Sequence, residues 1–202
     1  MNQILLMIAV VAGQSVLAAD KKPLTKEESA KVIEAAIRKA AKKPTGELTK
    51  ADLEKVGRLR LMDKGLTDVK GLEKLTQLKS LWLNNNQLTS VKGVEKLTKL
   101  TWLDLGGNKL TDVKGLENLT QLKRLFLQYN QLTEVPKGLE KLTQLKELYL
   151  IGNQLTDVKG LEKLTQLTHL SLRGNPDLTK AQIDELKKAL PKNCQINHSA
   201  TK

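Results

Sequence analysis

Aromatic residues make up only 2% of the 202 residues: two Trp, two Tyr and one Phe. A core built from such a chain is aliphatic, and the rings are free to be placed elsewhere. Cysteine is scarcer still. Cys194 is the only one, so no intramolecular disulfide can form. The sequence also lacks a glycine-rich phosphate loop, an H-E-x-x-H pair and a paired-cysteine motif, so no cofactor and no metal is expected. Cys194 and His198 together offer two ligands near a terminus, too few for a zinc site, and Cys194 reads as a cap cysteine in the core. Long apolar runs are missing except at the start, where Ile4 to Ala12 is too short to span a bilayer comfortably.

That run is followed by the small residues Val16 and Ala18 and then a polar stretch, which is a signal-peptide pattern over residues 1–19, although its leading "MNQ" carries no basic side chain. Cleavage after Ala18 or Ala19 yields an exported mature chain with no transmembrane segment. No cysteine follows the run to take a lipid. Export without disulfides points to a bacterial protein, secreted or held in the periplasm or cell envelope.

Net charge is +12 and the pI is about 9.7, which raises the possibility of anionic partners. The lysines recur in rows: Lys70, Lys92, Lys114, Lys137 and Lys159 in one, Lys74, Lys96, Lys141 and Lys163 in another. Acidic rows run beside them, Asp68, Asp112, Glu134 and Asp157, then Glu73, Glu95, Glu117, Glu140 and Glu162. Interleaved signs describe a solvated, solubilising face, and no nucleic-acid partner is expected.

What the chain has in abundance is leucine at fixed offsets. The pattern L-x-L-x-x-N-x-L-T-x-V-x-G-L-x-x-L-T-x-L opens at Leu59, Leu81, Leu103, Leu125, Leu148 and Leu170, a period of 22 residues with one of 23. Units of this length bury their apolar face only against their neighbours. The L-x-L pair puts two leucines on one face of a short strand. The recurring Asn86, Asn108, Asn130, Asn153 and Asn175 stand where the strand must turn, and their amides can satisfy buried backbone groups. Lys64 takes that place in the first unit, which is therefore either the loosest or held by a cap. Pro136 lies in the 23-residue unit and cannot donate a backbone bond, so the extra residue belongs in a loop. The segment "GLEKLTQL" fits an extended or a 3₁₀ return equally well.

Both flanks read as helical caps over the open ends of a solenoid. Thr25 with Glu28, Thr49 with Asp52 and Thr179 with Gln182 mark helix starts. Val32, Ile33, Ala36, Ile37 and Ala40 form one apolar face, and Ile183, Leu186, Ala189 and Leu190 another. "CQI" at 194–196 can add a last strand. The divisions are 1–19 signal peptide, 20–57 N-terminal cap, 58–178 repeats and 179–202 C-terminal cap and tail.

Units such as "LKSLWLNNNQLTSVKGVEKLTKL" and "LKELYLIGNQLTDVKGLEKLTQL" resemble leucine-rich repeats, of the 22-residue type found in bacterial internalins and in a regulatory subunit of a eukaryotic protein phosphatase. The resemblance implies an α/β solenoid: a leucine-rich repeat horseshoe with a parallel concave β-sheet, here with a helical cap at each end. It also implies a protein or peptide partner on the concave face. The helical caps, Lys64 and the 23-residue unit depart from the pattern.

In that register, the residues flanking and between each leucine pair project from the concave sheet. They include Arg58, Arg60, Trp82, Trp102, Asp104, Arg124, Phe126, Glu147, Tyr149 and Arg173, with Tyr129 at a strand exit. All five rings and four of the five arginines thus fall on or beside one surface, while lysine is almost absent from it. Trp, Tyr and Arg are the types enriched at binding hot spots. Trp82, Trp102, Phe126 and Tyr149 are candidate apolar anchors, the arginines candidate donors to carboxylates, and Asp104 and Glu147 candidate specificity elements. Rings that merely pack on one another to support a flat sheet are the plainer alternative. Gly106 and Gly107 leave a shallow depression beside the rings. His169 and Ser171 share a strand face, but Asp104 lies three units away, too far to orient that histidine in a hydrolytic triad, and no catalytic residue is expected. The function expected is an exported, non-enzymatic recognition module acting as a monomer. Adhesion to an anionic or carbohydrate polymer of the cell surface, or docking on an enzyme as a regulatory subunit, are the alternatives.

Overall fold

Seven parallel strands in sequence order form one open sheet: β1 Arg58–Arg60, β2 Ser80–Trp82, β3 Trp102–Asp104, β4 Arg124–Phe126, β5 Glu147–Tyr149, β6 His169–Ser171 and β7 Gln195–Asn197. The computed structural model describes residues 22–201, so residues 1–19, expected to be a signal peptide, lie outside the described residues. Leu59, Leu81, Leu103, Leu125, Leu148 and Leu170 stand opposite one another across the strands and are almost wholly buried. Leucine and valine, with the isoleucines of the caps, fill the core, and no ring enters it. The fold is therefore an α/β leucine-rich repeat solenoid.

The return segments are 3₁₀ turns, at Leu72–Lys74, Val94–Lys96, Leu116–Asn118, Leu139–Lys141 and Leu161–Lys163. Each follows a glycine in the left-handed region, such as Gly138 with φ 88°. The glutamates of the turns do more than solvate the surface. Glu73, Glu95, Glu117 and Glu162 each accept the N–H of the glycine two residues earlier, at 2.6 Å for Gly71 and 2.7 Å for Gly115. Four members of that acidic row are thus local caps for otherwise unpaired backbone donors.

The asparagines form a ladder that points back along the chain. Asn108 Nδ2 donates to Leu83 O of the preceding unit at 3.1 Å and to Leu105 O of its own at 2.9 Å, while Leu88 N donates to its Oδ1 at 3.1 Å. Asn86, Asn130, Asn153 and Asn175 repeat the pattern. Because each amide serves the unit before it, the first unit has nothing to reach back to. Asn86 already holds Lys64 N and Leu66 N there, which is why a lysine can stand at position 64.

The first unit is held by the N-terminal cap. Helix α1, Lys26–Ala41, starts at the Thr25 capping box and buries Ser29, Ile33, Ile37 and Ala41, one side chain per turn. Its inward stripe differs from the apolar one: Ala40 is exposed, and Ser29 is buried because its Oγ accepts Thr67 N at 3.2 Å. Leu24 and Gly65 add a strand-like bond at 3.0 Å. A short α2, Lys50–Glu54, begins at the Thr49 capping box. At the other end α3, Lys180–Ala189, packs on the last 3₁₀ turn and leads into β7, which pairs with β6. The extra residue of the 23-residue unit sits in the Glu134–Lys137 loop, and β4 and β5 pair without a bulge.

Candidate functional site

Three cross-strand rows face out from the concave sheet. The strand pairings put Arg58, Ser80, Trp102, Arg124, Glu147, His169 and Gln195 in the first, and Arg60, Trp82, Asp104, Phe126, Tyr149, Ser171 and Asn197 in the second. A third row, at the strand exits, contains Asn84, Gly106 and Gln128, because the ladder continues through Asn85 N to Gly106 O and Gly107 N to Gln128 O, both 2.8 Å.

Four rings form an unbroken ribbon across four strands. Centroids lie 5.9 Å apart for Trp82 and Trp102, 5.0 Å for Trp102 and Phe126, and 4.8 Å for Phe126 and Tyr149, the last pair stacked at 7°. Trp82, Phe126 and Tyr149 belong to the second row, where a gap exists because the residue between Trp82 and Phe126 is the small Asp104. The ring of Trp102 leans from the first row to bridge that gap. Arg60 lies over Trp82, 5.3 Å from the ring centroid, and Arg124 lies over Trp102 at 5.0 Å. Arg124 Nε also donates to Glu147 Oε1 at 2.7 Å. This half-exposed pair contributes under about 1 kcal/mol, but it fixes the guanidinium over the ring.

The remaining candidates stand apart from the ribbon. Tyr129, at φ 55°, turns along the strand-exit edge, where its ring covers Gly152 closely enough that a Cβ there would meet Cδ1 at 2.5 Å. Arg58 and Arg173 are exposed and form no ion pair with a described residue. The depression expected at Gly106 is filled, since the Gln128 amide lies across it and a Cβ on Gly106 would sit 2.3 Å from Nε2. Asn84 and Gln128 were not among the candidate site residues of the sequence. A glycine in line with two amides on neighbouring strands is the signal that could have found them.

Asp104 is half-buried. Burial pushes its carboxyl up to about 6, against one hydrogen bond from Gly106 N at 3.0 Å that lowers it. Asn84 Oδ1, Gln128 Oε1 and Trp102 Nε1 are buried without a hydrogen-bond partner. Orphaned polar atoms of this kind are uncommon enough in folded proteins to need an explanation. His169 Nδ1 is 3.0 Å from Thr168 Oγ1, three strands from Asp104. Cys194 is half-buried against the core, which raises its thiol above the usual range. Among the described residues no group of His, Cys, Asp and Glu could hold a metal, and no helix is long and apolar enough to cross a membrane.

Models of the leucine-rich repeat family match residues 120–176, and a two-copy form of the same repeat matches 98–141. Among solved structures, an internalin (inlF) of Listeria monocytogenes is similar with a TM-score of 0.65 and 26% identity over 85% of this chain. Internalin C2 of the same organism gives 0.56 and 26% over 83%, and the functional domain of InlJ, which includes a cysteine ladder, gives 0.70 and 26% over 83%. The chain spans 57% of the first of these, 92% of the second and 36% of the third. No curated protein matches the sequence significantly.

Proposed function

Since the chain is a leucine-rich repeat protein of the internalin-like class, we propose that it is an exported, non-enzymatic recognition module that grips a protein or peptide on its concave face. The single observation that carries this reading is the four-ring ribbon with Arg60 and Arg124 held over it. Aliphatic side chains alone close the core, so the fold does not need rings outside it. Rigid aromatics flanked by oriented guanidinium groups bury large area on binding at modest entropic cost, which is the make-up of a hot spot. Trp82, Trp102, Phe126 and Tyr149 serve as anchors. Arg58, Arg60, Arg124 and Arg173 supply donors to carboxylates, and Asp104 and Glu147 set charge specificity. Tyr129 extends the surface at the strand-exit edge.

Affinity capture from an envelope extract with the mature chain tests this. Trp82→Ala with Trp102→Ala should abolish retention of the partner, at a cost on the order of 2 kcal/mol or more per true anchor. Unchanged capture by the double variant refutes the concave-face assignment.

A second reading is supported by where the lysines fall. Lys74, Lys96, Lys141 and Lys163 end 3₁₀ turns and Lys79, Lys99, Lys123 and Lys146 shortly precede strands, all of them exposed and recurring from coil to coil. Such a recurrence fits an anionic surface polymer. Retention on a polyanion that falls steeply between low and physiological salt supports adhesion, and retention indifferent to salt rejects it.

A further inference from the structure

We infer that Asp104, flanked by the rings of Trp82, Trp102 and Phe126, receives the side-chain ammonium of a lysine on the bound polypeptide. This deepens the concave-face reading and rests on it. Trp82 on β2 and Phe126 on β4 stand on either side of Asp104 in the same row, and the Trp102 ring bridges them. Among the described residues no cation pairs with Asp104; its hydrogen bond is the one from Gly106 N. The other acid on this part of the face, Glu147, is already taken by Arg124. In the adjoining row the Gln128 amide fills the space over Gly106, and Asn84 Oδ1, Gln128 Oε1 and Trp102 Nε1 are shut off from solvent without a partner among the described residues.

The Asp104 carboxylate thus stands between ring faces without a cation of its own, and the Gln128 amide closes the strand-exit side beside it. An alkylammonium answers each feature. It brings three N–H donors and no acceptor, a positive charge that ring faces attract, and a methylene stem that packs on those rings. A guanidinium is a poorer match, because its planar fork favours a carboxylate with both oxygens free and one oxygen of Asp104 is engaged by Gly106 N. Calcium would need six or more oxygens, which one carboxylate with an oxygen already engaged does not supply. The charged form of Asp104 is disfavoured by burial, and an arriving cation relieves that penalty.

The test is a titration of the mature chain with Nα-acetyl-lysine methylamide, with Nα-acetyl-norleucine methylamide as the uncharged control of similar shape and Nα-acetyl-arginine methylamide as the guanidinium probe. Nuclear magnetic resonance reads the indole N–H signals of Trp82 and Trp102 and the Gly106 amide. The lysine probe should shift all three saturably. The norleucine probe, and the lysine probe on Asp104→Asn, should bind at least tenfold more weakly. Affinity for the lysine probe should fall as pH drops through about 6 in the wild type and stay flat in Asp104→Asn. The other charged groups nearby are Arg60, Arg124 and Glu147, which the variant leaves in place. Equal binding of the lysine and norleucine probes, or full affinity in Asp104→Asn, overturns the inference. So does tighter binding of the arginine probe or of calcium chloride. If envelope capture is lost in the Trp82→Ala, Trp102→Ala variant but Asp104→Asn binds both probe and partner as the wild type does, the concave-face reading stands and the lysine contact at Asp104 falls. If capture survives in both variants, both fall.

Discussion

Asp104 is a residue the fold would be better without. Its carboxyl titrates near 6 in the folded chain, against 3.8 for an ordinary aspartate, so between roughly pH 4 and pH 6 the folded form holds a proton that the unfolded form has released. Stability therefore decreases as pH rises through that window, and above it the ionised group carries a standing penalty. The full shift corresponds to about 3 kcal/mol, and partial exposure brings the expected value down to the order of 1–2 kcal/mol. Asp104→Asn keeps an acceptor for Gly106 N and removes the charge. Its urea midpoint should exceed that of the wild type at pH 8 and coincide with it at pH 4; a variant no more stable at pH 8 would remove the penalty from the account. The period of the sequence placed Trp82, Asp104 and Phe126 in adjacent strands, which was enough to gather the rings on one surface. It carried nothing on the lean of Trp102 into the gap or the fold of Gln128 over Gly106, because those depend on side-chain torsions set by neighbours 22 residues away.

Within one coil the backbone is held by two devices of unequal visibility. The asparagine ladder was legible because Asn recurs where buried turns need partners. Its direction was not, and direction explains why Lys64 is tolerated. Asn130→Leu leaves Leu105 O, Leu127 O and Leu110 N without their partner in a dry interior. It should cost 3 kcal/mol or more, at about 1–3 for each buried orphan, whereas Lys64→Asn should change stability by less than about 0.5 kcal/mol. Chemical denaturation of the two variants checks the contrast. The glutamate caps were not legible in the sequence, because a carboxylate beside lysines looks the same whether it is solvated or bonded to a backbone two residues away. Their packing has its own consequence at the glycine row. Gly138 sits at φ 88° with room for a Cβ blocked by Glu117 Cβ at 2.7 Å, while Gly57 has no neighbour within 4 Å and no positive φ. Gly138→Ala should lower the thermal midpoint by several degrees, as a loss of about 1–2 kcal/mol would, and Gly57→Ala should leave it unchanged or slightly higher.

A solenoid separates fold from recognition more cleanly than a compact domain can, since each coil touches only the coils beside it. Excision of residues 103–124 removes one whole period and joins Trp102 to Leu125, so the new strand reads Trp-Leu-Phe with its leucine still facing inward. Asn130 would then reach back to the second unit as Asn108 now does, through Leu83 O and Leu88 N. Both caps keep these contacts, because α1 packs on the first unit and α3 on the last turn. The shortened chain should unfold in a single transition, with stability lower by about 1–3 kcal/mol at the usual 0.05–0.15 kcal/mol per residue. Its urea m-value should drop by roughly one eighth, in proportion to the chain removed. Recognition should not survive the same cut: Asp104, Gly106 and the Arg124 that sits on Trp102 all leave with the deleted coil, and Trp82 becomes the direct neighbour of Phe126. A folded, cooperative deletion that no longer binds the lysine probe would assign stability to the leucine and asparagine period and binding to the few residues that break it. A deletion that is molten or unfolded would mean instead that the coils are not interchangeable, and that the aromatic ribbon, or the particular order of units beneath it, is part of what holds the solenoid together.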